Sequence, residues 1–420
     1  MDSVTSTEPD PHPAPRPPSA VLPLDPSLGD ARLPGQPIEL AAYPAETITN
    51  RRFSGFELSR WDRYFLPPAL TGLTDEAPAE VVAAVEDDNR SAILPRPVAT
   101  LDGLPFYLSV KGIGSSVEPF SFRRLDGPAA AELSEDLGVR ARLQTRGGNV
   151  SGGIITGELW LRGSPYGGQG LPHALAAFRV SERAELTDLA GFRIAPVVKV
   201  AYLPDAVAAR LRTLHWYRRY PGRFVQELRL VPSNVRVYFH ARTTVGNDPG
   251  GVFDRFGVDS PGKAHAFERN FVRSGLAVLS LFARTLTREP TGDRWTGLDF
   301  EDVWLDKDAV LAPDGTIYFV DLEGVEPVTV DGGAVREKVE DQIFRSLYEF
   351  MFAYEQIEHE RARRFGAVGS RKRFFETLVL EALEGDPFLR PRSTPDGLRL
   401  RVRPAADEES LSFDFPLVDT

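Results

Sequence analysis

Apolar residues divide this chain into a strand-rich part and a helix-rich part. Between about residues 93 and 240, runs of β-branched and aromatic residues bounded by Gly or Pro predict strands. They are "LPFYLSVKGIG" (104–114), "SGGIITGELWLRG" (151–163), "FRIAPVVKVAYLP" (192–204) and "NVRVYFHARTTV" (234–245). One helical pattern interrupts them. In "HALAAFRVSERAELTDLAG" (173–191), Leu175, Phe178, Glu182, Leu186 and Leu189 recur at three-to-four-residue spacing, and Gly191 ends the pattern. That register puts Glu182 on the apolar side, one turn from Phe178 and Leu186, an unusual place for an unpaired carboxylate.

After residue 262 the period becomes helical. "AHAFERNFVRSGLAVLSLFARTL" (264–286) repeats Phe267, Phe271, Val278, Phe282 and Leu286 on one face. "EKVEDQIFRSLYEFMFAYEQIEHE" (337–360) does the same with Ile343, Leu347, Phe350 and Tyr354. Between these helices stands "PDGTIYFVDLEG" (313–324), a turn signal followed by five β-formers that run into Asp321 and Glu323. A carboxylate at the end of such a strand is held on rigid backbone, where it either solvates the strand end or binds a cation.

The remaining segments complete the organisation. Residues 1–37 hold ten of the 35 prolines and few bulky apolar groups, which predicts a flexible tail. Residues 38–92 read as a packed N-terminal extension, with Trp61, Tyr64 and Phe65 in "RWDRYFLPPAL". Residues 366–420 read as a helix followed by an extended acidic segment. The class expected is α+β: a β-rich lobe at 93–245 and a helical lobe at 246–420.

Composition narrows the chemistry. The net charge of −11 argues against general binding to nucleic acid or an anionic membrane. The absence of cysteine excludes disulfides, zinc–thiolate sites and thiol catalysis. Six scattered His residues show no metal-ligand spacing. No apolar run approaches the ~18–20 residues of a membrane span, and the N-terminus lacks the basic and apolar regions of a secretory signal. A cytoplasmic protein is expected.

Three charged positions then form a pattern. Lys111 ends the strand "FYLSVK", Glu182 lies in the helix of the same lobe, and Asp321 ends the strand of the helical lobe. Phosphoryl and nucleotidyl transfer use a cation on the phosphates, a carboxylate that orients it, and carboxylates for Mg²⁺. The glycine-rich "RGSPYGGQG" (162–170), between a strand and a helix, offers backbone N–H groups and Arg162 for a phosphate, or simply a set of turns.

The layout and these residues resemble the protein-kinase-like fold. "FEDVWLDKDAVLAPDGTIYFVDLEG" (300–324) is similar to the aminoglycoside-phosphotransferase-type pattern, in which a metal-binding Asn precedes "VLVDPDGTIYFVD". In that register Asp308 takes the Asn position, thirteen residues before Asp321; a second register, with a longer insertion, puts Asp302 there. The first register also sets Val303 at the place of the kinase catalytic Asp and Glu301 at that of the loop His. A hydrophobic residue at that place resembles the selenoprotein O family, kinase-like proteins that transfer AMP from ATP. "EDVWLDKD" (301–308), "VKGIGSSVEPFS" (110–121) and "SERA" (181–184) are similar to that family's "HGVLNTDN", "LKGAG-T-P-S" and "SEAM" runs. The likeness spans about residues 100–330 in short pieces.

Three departures stand against it. The glycine-rich segment before the lysine strand is absent, about forty extra residues follow the Lys motif, and Lys307 replaces an acidic residue proposed as base in that family. The resemblance implies ATP and Mg²⁺ as cofactors. It implies phosphate contacts from Lys111 and Arg162, orientation of Lys111 by Glu182, and a metal held by Asp308 and Asp321. AMP or phosphate would pass to a protein or small-molecule acceptor. No general base stands out, and the lost His–Asp pair fits an inactive scaffold as well.

Overall fold

The computed structural model describes residue 33 and residues 37–113 apart from 54–57, 87–90 and 102, then 169–183, 193–213 and 222–237. It further describes 251–404, apart from 291–292, 301–304, 306–307, 321, 323–324 and 396, and finally 411–415. The fold is mixed α+β. Strands β1 (Pro37–Pro44), β2 (Thr47–Thr49), β3 (Arg63–Leu66), β4 (Glu80–Glu86) and β5 (Ser91–Leu101) are joined in one sheet by β6 (Leu104–Lys111), β7 (Gln169–Gly170), β8 (Val197–Tyr202) and β9 (Phe224–Val231). The order is β2-β8-β9-β6-β5-β4-β1-β3, with β7 on β9, and every pairing is antiparallel.

The segment at 38–92 is thus continuous with the sheet of the β-rich region, and Leu33 is buried in the same core. Pro95 and Pro97 lie within β5, and the β5–β6 register shifts between Ile93 and Pro97 and again between Pro97 and Ala99. A proline supplies no ladder N–H, so a bulge is the structure expected there.

Helix α1 (Leu171–Glu182) starts after Gly170, has Pro172 in its first turn, and lays Ala174, Ala177 and Phe178 on Val197, Val200 and Val225. It ends eight residues or so before the expected stop near Gly191; residues 184–192 lie outside the described residues. Ser181, fully buried, donates to Ala177 O and accepts the Val197 N–H, each at 2.9 Å, so the helix end is tied to the first residue of β8. The inward face runs through Ala174, Ala177, Phe178 and Ser181. Glu182, the last helical residue, faces solvent, contrary to the expected apolar-side position. Helix α2 (Asp205–Thr213) connects β8 to β9.

The second part begins with α3 (Gly251–Arg255) and α4 (Pro261–Thr285), the latter capped by Ser260 and started by Pro261. Strands β10 (Thr287–Arg288), β11 (Arg294–Asp299), β12 (Ala309–Leu311), β13 (Ile317–Phe319) and β14 (Glu326–Asp331) follow. Helix α5 (Val335–Phe365) and helix α6 (Arg371–Ala382) come next. In place of the expected extended segment, β15 (Leu389–Thr394), β16 (Gly397–Val402) and β17 (Leu411–Phe415) form a three-stranded antiparallel sheet. Of the expected strand at 234–245, the described residues show a single bridge, Arg236 to Val310.

The β12–β13 hairpin is a wall shared by two cores. Ala309, Leu311, Ile317 and Phe319 belong to the core of α4, α5 and α6, whereas Val310, Ala312, Tyr318 and Val320 belong to the core of the large sheet. The period-two alternation of a strand allows this double burial. Tyr318 meets Phe106 of β6 edge-to-face at 5.3 Å.

Candidate functional site

The hairpin is fixed from its turn upward. Gly315 has φ +88°, and a Cβ there would lie 2.3 Å from Phe267 O, so only glycine fits. The Asp314 carboxylate accepts the Thr316 N–H at 2.9 Å, and Asn270 Nδ2 donates to Asp314 O at 3.0 Å. Ser274 of α4 donates to Asn270 O at 2.6 Å and accepts the Ile317 N–H at 2.8 Å. The hairpin is therefore clamped to α4 by backbone groups as well as by packing.

At the open end, the Val320 N–H donates to Asp308 O at 2.8 Å, which continues the ladder one pair beyond Ala309 and Phe319. Asp308 is 3% exposed. The segment after β9 runs beside β12: Leu311 N–H donates to Val235 O at 2.8 Å and the Ser233 hydroxyl to Leu311 O at 2.6 Å. On the other side of the hairpin, Ala195 N–H donates to Phe319 O at 2.8 Å and Phe319 N–H to Arg193 O at 3.0 Å. Both connections to the large sheet, before β8 and after β9, are thereby stitched to the hairpin that carries Asp308.

Lys111 is 7% exposed at the end of β6. Its cross-strand neighbours are Ser91 on β5 and Glu227 on β9, and Ser109 faces Arg229 in the same way. Directly opposed residues have Cβ atoms about 4.5–5.5 Å apart and share a face. Val200 also opposes Glu227 and Val197 opposes Arg229, so this is the face covered by α1. Glu227 and Arg229 are 1% and 2% exposed and form an ion pair. On the opposite face, Gln226 brackets Phe65: it accepts the Phe65 N–H at 2.7 Å and donates to Phe65 O at 2.6 Å. Its amide also reaches Gly112 O, at 3.3 Å, so the backbone just past Lys111 is held as well.

Of the residues expected from the sequence, Lys111 is buried at the end of β6, Asp308 is buried just before β12, and Glu182 is exposed. Arg162 and Asp321 lie outside the described residues, as do Glu301, Asp302, Val303, Lys307 and Glu323. Sequence reasoning missed Glu227 and Arg229. Their signal was "FVQELRLV", apolar residues interleaved with opposite charges two apart, here a central strand with all eight residues buried.

A second buried ionic group lies among the helices. Glu268 of α4 is fully buried, and its Oε1 accepts from Arg361 Nε at 3.0 Å. Arg361 also donates to Glu358 Oε1 at 3.0 Å and lies 4.7 Å from the Phe374 ring centroid. Glu268 Oε2 and the Tyr354 hydroxyl are both buried in this group. Burial pushes the Glu268 carboxyl up to about 8, against the pull of Arg361. Burial likewise raises Glu360, although its oxygens accept the Phe253 and Val252 N–H groups at 2.7 and 3.1 Å.

Among the described residues, no group of three or more His, Asp or Glu is arranged to hold a metal ion, and no helix is long and apolar enough to cross a membrane. No family model matches the chain, and no curated protein matches it.

Proposed function

We propose that the chain is a two-lobed, protein-kinase-like protein that binds ATP with Mg²⁺ and transfers AMP or phosphate to a protein or small-molecule acceptor. The observation that carries this reading is the place of Lys111. In protein kinases the phosphate-binding Lys lies on the third strand of the smaller lobe and pairs with a carboxylate. Here Lys111 ends β6, sixth in chain order but central in its sheet, where it is buried and stands opposite a carboxylate, Glu227 of β9. Along the chain α1, β8, α2 and β9 follow, then α3, the long helix α4, β10 and β11, and the hairpin β12–β13 that begins beside buried Asp308.

Asp308 suits a metal. Its carboxylate is a hard oxygen donor on fixed backbone, and Asp321 follows Val320, the residue hydrogen-bonded to Asp308. Phosphate-associated Mg²⁺ takes one or two carboxylates and fills its shell with water and phosphate oxygens, so a cluster of three is not required. Such an ion, when bound, would neutralise negative charge on the phosphates. Lys111 would hold the phosphates by charge and hydrogen bonding, and the clamped hairpin would keep Asp308 from shifting as the ligand enters.

A second reading is an inactive, partner-binding scaffold. Glu182 in solvent favours it, since that carboxylate is not turned toward the sheet.

Thermal stabilisation by ATP with and without Mg²⁺ separates the two. Saturation at a hundred times Kd should add ~2.7 kcal/mol. Lys111→Met should abolish the response, and Asp308→Asn and Asp321→Asn should abolish its Mg²⁺ dependence. Transfer of label from the α- or the γ-position of ATP then tells AMP from phosphate transfer. A wild-type chain that responds to no nucleotide refutes the proposal in favour of the scaffold.

A further inference from the structure

We infer that Glu227 of β9, and not the helical Glu182, is the carboxylate that positions Lys111, with Arg229 holding Glu227 in place. This rests on the nucleotide-binding reading above for its function, but not for the pairing itself. Lys, Glu and Arg are almost never fully buried unless paired. Here one of each lies on two adjacent strands, at 7%, 1% and 2% exposure. The register sets Lys111 directly opposite Glu227, and the strand period sends Glu227 and Arg229 to the same face, where they form an ion pair.

Helix α1 covers this face but contributes no acid to it. Its buried side ends in Ser181, whose hydroxyl is committed to Ala177 O and the Val197 N–H. Glu182 is one residue further round and exposed. A helix-borne carboxylate moves whenever the helix tilts. A carboxylate on the neighbouring strand of the same sheet cannot, because backbone ladders on both sides of β9 fix it. Burying an ion pair costs desolvation energy that an apolar strand would avoid, so the charges on β9 call for a role beyond stability. The role fitted by the geometry is to hold the Lys111 ammonium in one direction before a phosphate arrives.

The test is a double-mutant cycle in nucleotide-free protein, followed by ATP binding. Melting temperatures are measured for Lys111→Met, Glu227→Gln and their combination, and in parallel for Lys111→Met with Glu182→Gln. Contacting residues deviate from additivity whereas separated ones add. Coupling is expected between Lys111 and Glu227, and additivity between Lys111 and Glu182. In the ATP–Mg²⁺ titration, Glu227→Gln should weaken affinity by about tenfold or more, Glu227→Asp should recover part of it, and Glu182→Gln should leave it unchanged. Additive effects at Lys111 and Glu227, or coupling of Lys111 to Glu182 instead, overturn the inference. Should Glu227→Gln fail to fold alone, recovery of folding with Lys111→Met added supports the pairing, and no recovery refutes it. Absence of any nucleotide response in the wild type defeats the functional reading, while the cycle still decides the pairing.

Discussion

Raising the pH from about 5.5 to about 7.5 should destabilise this protein through Glu268. The carboxyl is fully buried in α4, with Arg361 on one oxygen and the buried Tyr354 beside it. Burial dominates and lifts it from the ordinary 4.5 to about 8; Arg361 opposes the rise and Glu358 adds to it. Because the folded-state value lies above the unfolded one, the folded chain keeps a proton that the unfolded chain has already lost. The stabilisation is present in full below about 4.5 and disappears as pH rises through about 8. At ~1.4 kcal/mol per unit, the central two units of that window correspond to about 2–3 kcal/mol. Glu360, raised by burial as well, acts in the same direction. The assay is the urea midpoint across this range for the wild type and for Glu268→Gln, which keeps the volume and the acceptor but cannot ionise. Subtracting the two profiles removes Glu360 and every other contribution common to both, and the difference should narrow by about 2–3 kcal/mol toward high pH. Parallel profiles, or a wild type that gains stability over this range, would refute the assignment of a protonated Glu268.

Two further outcomes test what holds the candidate site. Gly315→Ala forces a side chain into a positive φ and onto Phe267 O, and should cost roughly 2–4 kcal/mol in urea unfolding; a loss below about 0.5 kcal/mol would mean that the turn can open without strain. Gln226→Leu leaves both backbone groups of Phe65 without their side-chain partner, and should cost roughly 2–4 kcal/mol by the same measurement. A near-neutral result there would show that β3 is held by its own ladder with β1 and does not need Gln226.

The elements that could be read from the sequence are those whose local period agrees with their surroundings. Helix α4 buries Phe267, Phe271, Val278, Phe282 and Leu286 caps it, as the spacing of these residues predicts. The "PDG" turn and the β-run after it form the hairpin expected of them, because Gly315 is the residue that the approach of Phe267 demands. The end of α1 was not legible. The apolar repeat through Leu186 and Leu189 continues the pattern past Glu182, but Arg183 takes an extended conformation and the helix stops. The C-terminal sheet carried its own signal. In "GLRLRV" Leu398, Leu400 and Val402 are buried while Arg399 and Arg401 are exposed, a period of two obscured by the acidic residues around it.

Strand β9 is the most instructive case. A segment with Gln, Glu and Arg at three of its eight positions resembles a solvent-facing edge, and local propensity offers no other reading. Its centrality comes from pairings with β6 and β8, which are more than twenty residues away in sequence and invisible to any local window. Each polar residue on it is then explained by a distant partner. Gln226 substitutes for a strand along Phe65, Glu227 meets Arg229 and stands opposite Lys111, and Arg229 stands opposite Ser109. Charges that cost desolvation energy persist on a buried strand only where a neighbour compensates them. The carboxylate that stands opposite Lys111 is on the adjacent strand, a neighbour set by register and not by the spacing of a helix.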